Sequence, residues 1–279
     1  MFQSLPELAD AVPDGARLGV PADDGGVAMA ATRELIRRGC RDLKLYCLPQ
    51  GGLAVDLLIG AGCVHEIETA AVSLGEYGPA PCFTRAVEAG TLQVKDATGP
   101  ALDAQLTATE RGVPFMPIRG LIGTDILAHR ADWTTIDNPL AGGDPGDAAA
   151  GGGDPLVLLP AVRLDVALFH CPAADEEGNL WIGRRRELAT LAHAAARTLV
   201  TVEEIVPGSF FARERDAAGA LSGLYVDGIA LAPMGARPLA LGDHYGVDAD
   251  TLAAYARAAT SEAGFKDWLD HALGQAVLA

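Results

Sequence analysis

No apolar run in this sequence approaches the roughly 20 residues that span a bilayer. Hydrophobic residues nonetheless make up 49% of it and the mean hydropathy is +0.20. Charge or glycine interrupts every such run, which predicts a soluble, globular protein without a membrane segment. Cations are scarce, with 21 Lys and Arg against 37 Asp and Glu. The resulting formal charge of −16 repels a polyanionic backbone, so no nucleic-acid partner is expected. Met1–Val20 lacks the basic segment and apolar core of an export signal. Cysteine is sparse, odd in number and never in a C-x-x-C pair: Cys40, Cys47, Cys63, Cys82 and Cys171. Four of the five sit in or beside apolar stretches, where a thiol acts as a small hydrophobe. A reducing, cytoplasmic setting is the expectation.

Common catalytic signatures are also missing. There is no G-x-x-x-x-G-K phosphate loop and no G-x-S-x-G nucleophile elbow. The six histidines (His65, His129, His170, His193, His244 and His271) include no i,i+4 pair, so no metal site is expected. Gly60-Ala61-Gly62 follows a helical pattern and has His65 where a third glycine belongs, which argues against a nicotinamide cofactor.

What is present is α/β alternation. Ser4-Leu5-Pro6-Glu7 reads as a capping box. Arg17–Val20, Leu43–Leu48, Val64–Ala70 and Thr91–Asp96 read as strands, with helices over Val27–Arg38, Leu53–Ile59, Cys82–Ala89 and Leu102–Arg111. The strands mostly lack polar alternation, as expected when both faces are covered, and Gly39 suits a helix C-cap. Together these predict an open, doubly wound, mostly parallel sheet. Beyond residue 155, strands are expected at Leu156–Leu159, Asp165–His170, Leu180–Ile182, Thr198–Val202 and Gly228–Ala232. Helices are expected at Glu187–Arg197, Asp250–Ala259 and Ser261–Leu273, giving a helical C-terminal segment. The intervening Gly/Ala/Asp/Pro-rich stretch, Asp137 to Pro155, reads as an exposed loop within one domain covering residues 1–279.

Candidate ligand-binding positions lie in loops at predicted strand ends: Pro21–Gly26, Pro49–Gly52, Ser73–Pro81 and Pro117–Asp125. Open α/β sheets bind ligands outside the carboxyl ends of their strands, where glycine lets backbone amides approach an anion. This selects Gly25, Gly26, Gly51, Gly52 and Ser73, together with Arg119, Gly120, Gly123 and Thr124. The Arg119 guanidinium can offer a fork to a carboxylate or phosphate, or can serve a structural ion pair. Glu203 and Glu204, after an apolar strand, read as ion-pairing or capping groups.

A collinear series of motifs carries a resemblance. Leu57-Leu58-Ile59-Gly60-Ala61-Gly62, Phe83 to Gly90, and Gly112-Val113-Pro114-Phe115-Met116-Pro117-Ile118-Arg119-Gly120-Leu121-Ile122-Gly123-Thr124-Asp125 open it. Leu164–His170, Ala174 to Asn179, Val202–Val206, Val226-Asp227 and Ala232–Ala236 continue it. The series resembles the A subunit of family I CoA-transferases, of the glutaconate CoA-transferase type, from about residue 15 to 270. The scaffold also resembles ring-opening acyl-CoA hydrolases of steroid degradation.

The resemblance implies the CoA-transferase sheet architecture and a B-type partner subunit whose Ser-Glu-Asn-Gly glutamate is the nucleophile. No catalytic residue is then expected on this chain. A coenzyme A thioester would be substrate, with no permanently bound cofactor, and a carboxylic acid would accept the CoA. An α₂β₂ or α₄β₄ assembly is expected by symmetry. Ser261-Glu262-Ala263-Gly264 is a decoy within a helical stretch. The first loop departs from related succinyl-type enzymes by placing Asp23 and Asp24 where Gly-Gly-Phe occurs. The hydrolases carry a working glutamate in the equivalent chain, and the corresponding positions here are Ala97 and Thr98. A CoA-transferase of which this chain is the A subunit is therefore the leading expectation, a hydrolase subunit the alternative, and a non-catalytic acyl-CoA or sugar-phosphate binding module the third.

Overall fold

The computed structural model describes residues 1–140 and 154–275. In chain order its strands are β1 (Phe2–Gln3), β2 (Arg17–Pro21), β3 (Leu43–Leu48), β4 (Val64–Thr69), β5 (Gln93–Asp96), β6 (Phe115–Ile118), β7 (Thr134–Asp137), β8 (Pro155–Pro160), β9 (Leu164–Asp175), β10 (Leu180–Trp181), β11 (Ala195–Val206), β12 (Ala220–Leu221) and β13 (Gly228–Leu231). The helices are α1 (Leu5–Asp10), α2 (Met29–Arg38), α3 (Leu53–Gly60), α4 (Pro81–Glu88), α5 (Gly99–Glu110), α6 (Ile126–His129), α7 (Arg186–Ala194), α8 (Glu214–Ala217), α9 (Ala249–Ala258) and α10 (Glu262–Gln275).

Local chemistry explains the element ends. The Ser4 backbone N–H donates to the Glu7 carboxylate at 2.8 Å and Glu7 N donates back to Ser4 Oγ, the reciprocal bonds of a capping box. Gly39 ends α2 at φ +72°, a left-handed conformation that glycine adopts without strain.

The main sheet runs β1-β13-β11-β9-β2-β3-β4-β5, and each neighbouring pair is parallel. Alternating side chains feed two cores. Leu45 and Cys47 of β3 join Leu35, Leu57 and Tyr255 from the α2, α3 and α9 side. Tyr46 and Leu48 join Leu106, Leu191 and Val157 from α5, α7 and β8. Burial on both faces accounts for the continuous apolar runs of these strands. The expected doubly wound α/β architecture is present.

Three local expectations need correction. The helix expected to reach Arg197 ends at Ala194, because Ala195 and Arg197 pair with Leu164 and Val166 of β9. Tertiary pairing here overrides the helix preference of an Ala-rich run. The strand expected at Asp165–His170 extends to Asp175, matched by an equally long β11. Third, the chain before Arg119 is not a strand of the open sheet: β6 belongs to a separate antiparallel sheet of order β6-β8-β7. Pro117 is tolerated there because β6 is an edge strand.

Antiparallel β7 and β8 bracket the low-complexity stretch, and Asn138 N donates to Asp154 O at 2.9 Å across its base. Residues 141–153 lie outside the described residues. Strands from before and after the stretch nevertheless sit side by side, since β9 pairs with β2.

Candidate functional site

The parallel path brings the carboxyl ends of its eight strands to one edge, while β10, paired with β12, runs antiparallel to β9. From β2 the order runs outward to β5, and from β9 it runs the other way through β11 and β13. The switch point therefore lies between β2 and β9, where sheets of this kind place a ligand crevice. Gly25 and Gly26 follow β2, Gly51 and Gly52 follow β3, and Ser73 follows β4, so the structure brings these five sequence-selected residues to one edge.

Close backbone approach accounts for two of the glycines. Gly26 O accepts from His170 N at 2.6 Å, and a Cβ on Gly26, at φ +89°, would lie 2.4 Å from His170 O. A Cβ on Gly52 would lie 2.1 Å from the Asp23 carboxylate. That carboxylate turns inward and accepts from Leu53 N at 2.8 and 3.1 Å, capping α3 from another loop. Burial pushes the Asp23 pKa up to about 6, against the opposing pull of the Leu53 hydrogen bond. Asp23 is therefore committed to capping α3. Gly51 continues the sheet, donating to Ala71 O at 2.9 Å and accepting from Ser73 N at 3.1 Å. Ser73 Oγ accepts from Gly75 N at 3.1 Å and organises the turn leading to α4.

Arg119, Gly120, Gly123 and Thr124 form a second group, on the turn after β6 of the small sheet. Arg119 presents its fork to Asp154, with Nε–Oδ1 at 2.8 Å and Nη2–Oδ2 at 2.7 Å. Hydrogen bonds from Arg119 and Asn138 hold Asp154 down at about 2. The structural ion pair weighed from the sequence is thus formed. Thr124 Oγ1 donates to Leu121 O at 2.8 Å and Leu121 is buried, which anchors this turn.

The edge also carries a polar cluster that sequence reasoning did not assemble. His170 of β9 is fully buried, with Nδ1 at 2.8 Å from Thr201 Oγ1 and Nε2 at 2.8 Å from Glu203 Oε1. Glu203 also accepts from Tyr245 Oη, from Met234 N at 2.6 Å and from Gly235 N at 3.2 Å. Burial disfavours its ionised form, yet the His170, Tyr245 and Met234 bonds outweigh that and hold its pKa at about 2. The same carboxylate, after burial, pushes the Tyr245 hydroxyl well up. Glu203 thereby pins the Met234-Gly235 turn, where Met234 adopts φ +59°. Its reading as an ion-pairing and capping group agrees with this geometry. The sequence carried no signal for this meeting, which depends on the register that pairs His170 with Thr201 and so places Glu203 two residues further on the same strand face.

A third cluster closes the β4–β5 end. Buried Arg130 donates to Glu68 at 2.7 Å, to Asp132 at 2.9 and 2.8 Å, and to Asp96 O at 3.1 Å, and it stacks 3.8 Å above the Trp133 ring. Burial pushes Glu68 up, opposed by Arg130. Thr98 Oγ1 accepts from Ala101 N and so caps α5, while Ala97 is buried. Ser261 Oγ accepts from Gly264 N at the start of α10, so Ser261–Gly264 is a helix entry, as expected of the decoy. Among the described residues no three His, Cys, Asp or Glu side chains converge as metal ligands would, and no helix is long and apolar enough to cross a membrane.

Glycine-lined turns and fixed polar clusters thus gather at the carboxyl edge of a doubly wound α/β sheet. The chain belongs to the Coenzyme A transferase family, whose profile matches residues 2–231. It is 33% identical over 251 residues to an uncharacterized protein of Archaeoglobus fulgidus, covering 88% of this chain and 52% of that one. It is 32% identical to the A subunit of 3-oxoadipate CoA-transferase from Pseudomonas knackmussii, over 70% of this chain and 66% of that one. The chain thus spans about half of the first protein and just under two thirds of the second. It is 30% identical to the cholesterol ring-cleaving hydrolase IpdA subunit of Rhodococcus jostii, over 86% and 80% of the two chains. Among solved structures, a variant of the decarboxylase AibA/AibB matches with TM-score 0.84 and 33% identity, covering 98% of both chains. Glutaconate coenzyme A-transferase from Acidaminococcus fermentans shares the fold with TM-score 0.85 over 97% of this chain and 87% of that one.

Proposed function

We propose that this chain is the A-type subunit of a two-component CoA-transferase that moves CoA between an acyl-CoA and a carboxylic acid. The observation carrying this reading is the state of Glu203. It is one of two carboxylates built into the candidate edge beside the switch point, the other, Asp23, being spent on capping α3; Glu203 is engaged by Tyr245, His170 and two backbone N–H groups, which suits a scaffold rather than a nucleophile. The nucleophilic glutamate is accordingly assigned to a B-type partner. Its carboxylate attacks the thioester carbonyl, expelling CoA thiolate and leaving an acyl-glutamyl anhydride. The thiolate then attacks the glutamyl carbonyl and releases the first acid. The acceptor acid takes the CoA by the same two steps in reverse.

In this scheme the chain supplies the wall that keeps water from the anhydride and backbone amides that face developing negative charge. Gly25, Gly26, Gly51, Gly52 and Ser73 are its proposed ligand-facing positions, with Arg119, Gly120, Gly123 and Thr124 as a second group. Arg119 meets a substrate acid only by sharing or exchanging Asp154. The likeness to the A chain of a two-component transferase favours a hetero-oligomer.

The match to the decarboxylase AibA/AibB over 98% of both chains favours a second reading, in which an A-type chain and its partner break a bond of an acyl-CoA without transferring CoA. Against the hydrolase form of this reading, Thr98 is committed to capping α5. One experiment separates them. The chain is purified with a B-type partner and incubated with an acyl-CoA, with and without a second carboxylic acid. Transfer requires new acyl-CoA from the second acid and a partner glutamyl-CoA adduct detectable by mass. Free CoA or carbon dioxide formed independently of that acid overturns the transferase reading.

A further inference from the structure

On the outer face of the sheet, a cleft of about 590 Å³ lies between α4 and α9, within the size range of small-molecule sites. Tyr77, Pro79, Pro81 and Ala256 give it apolar walls, and Arg85 and Arg257 give it two guanidinium groups. Among the described residues neither Arg85 nor Arg257 has an ion-pair partner, although Glu88 also lines the cleft. Arg85 spends its guanidinium on Ala259 O and Cys82 Sγ, which leaves Arg257 as the cation available to a ligand.

The cleft is preformed. Asp56 of α3 accepts from Phe83 N at 2.7 Å and Cys82 N at 3.3 Å on α4, and from Tyr255 Oη at 2.6 Å on α9. Arg85 adds a bond to Ala259 O just beyond α9. Both walls are therefore tied together before anything binds, which lowers the ordering cost of a ligand.

We propose that this cleft binds a small organic monocarboxylate, its apolar body against Tyr77, Pro79 and Ala256 and its carboxylate on Arg257. Polarity along α9 sets the orientation. Arg257 stands in the last turn, whereas Asp248 and Asp250 stand at the first, about 10–14 Å away along the axis. Glu76, Asp248 and Asp250 all act electrostatically on Tyr77 and so make that end hostile to a second carboxylate. The wall is also connected to the sheet edge: Pro79 bridges to Ser73, and Val72 bridges to Gly51. This site stands independently of the acyl-transfer reading.

Calorimetric titration of the full chain with benzoate and hexanoate tests it, with benzyl alcohol and terephthalate as neutral and dianionic controls. The expected result is saturable binding of both monocarboxylates, about tenfold or more weaker for either control. Arg257→Gln, an exposed change, is expected to weaken benzoate about tenfold or more with unchanged melting of the free protein. Ala256→Trp, which fills the cleft, is expected to abolish binding. Absence of benzoate and hexanoate binding at millimolar concentration, equal binding of benzyl alcohol, or full retention of binding in Arg257→Gln each overturns the proposal.

Discussion

At the scale of single residues, two carboxylates near the switch point should respond to pH in opposite senses. Glu203 is held near 2, so its stabilising contribution is complete above the unfolded value of about 4.5 and is lost as pH falls through that interval. Glu203→Gln should lower stability by about 1–3 kcal/mol at pH 7, with the gap from the native protein narrowing below pH 4.5 and closing as pH falls through about 2. A gap that stays constant in thermal melts over that range would contradict the assignment. Asp23, raised to about 6, behaves in reverse: its contribution favours the fold below its unfolded value of about 3.9 and fades as pH rises through 6. Asp23→Asn should therefore gain on the native protein between pH 4 and pH 7, by up to about 3 kcal/mol for a two-unit shift. Melting curves at those two pH values would check the sign. Arg119→Lys tests the remaining candidate. Its pair with Asp154 is exposed, so melting should move by less than about 1 kcal/mol equivalent. Lost turnover in a reconstituted complex alongside unchanged melting would mark contact with substrate, whereas parallel losses would mark a structural pair.

At the scale of elements, Asp56 is the tie among three helices, and Asp56→Ala would strand the Phe83 N–H and the Tyr255 hydroxyl in a buried setting. A loss of about 2–5 kcal/mol is expected, read as a lower urea midpoint with an unchanged slope. Nothing in Leu53-Ala54-Val55-Asp56-Leu57-Leu58 announces this role, because the partners lie 26 to 199 residues away. The same distance argument explains the rest of what could and could not be foreseen. Strands β2 to β5 were legible because their apolar runs are local consequences of burial on both faces. The β6-β8-β7 sheet was legible only as one strand and a loop, since Phe115–Ile118 and Thr134–Asp137 owe their form to pairing with β8. Gly26 and Gly52 were singled out as ligand-side positions, whereas the need for glycine that the structure displays is non-local packing: one lies against His170 and the other against Asp23. Glu203 was noticed without His170, because their meeting depends on the register between β9 and β11.

For the whole molecule, exposed apolar side chains point to covered surface in an assembly. Leu224 is 93% exposed, and Leu231, Phe211, Met234 and Ile205 are also exposed. The isolated chain should self-associate and lack transferase turnover, and a B-type partner should convert it to a defined hetero-oligomer. Light scattering of the chain alone and with partner checks this. A monodisperse, fully active lone chain would sink it.

The pairing of β1 with β13 sets an order of events as the chain leaves the ribosome. Phe2 and Gln3 are made before every other strand of this sheet, yet their register partners are Ile229 and Ala230. A connection that distant carries a loop-closure cost until the intervening strands have assembled, so β1 must wait for β13. In pulse-labelled hydrogen exchange during refolding, the Gln3 and Ile229 amides should gain protection after those of β2 and β3. The earliest strand of the sheet thus acts as the clasp that fastens last, and a nascent chain halted before residue 228 would leave that edge open to whatever strand it met.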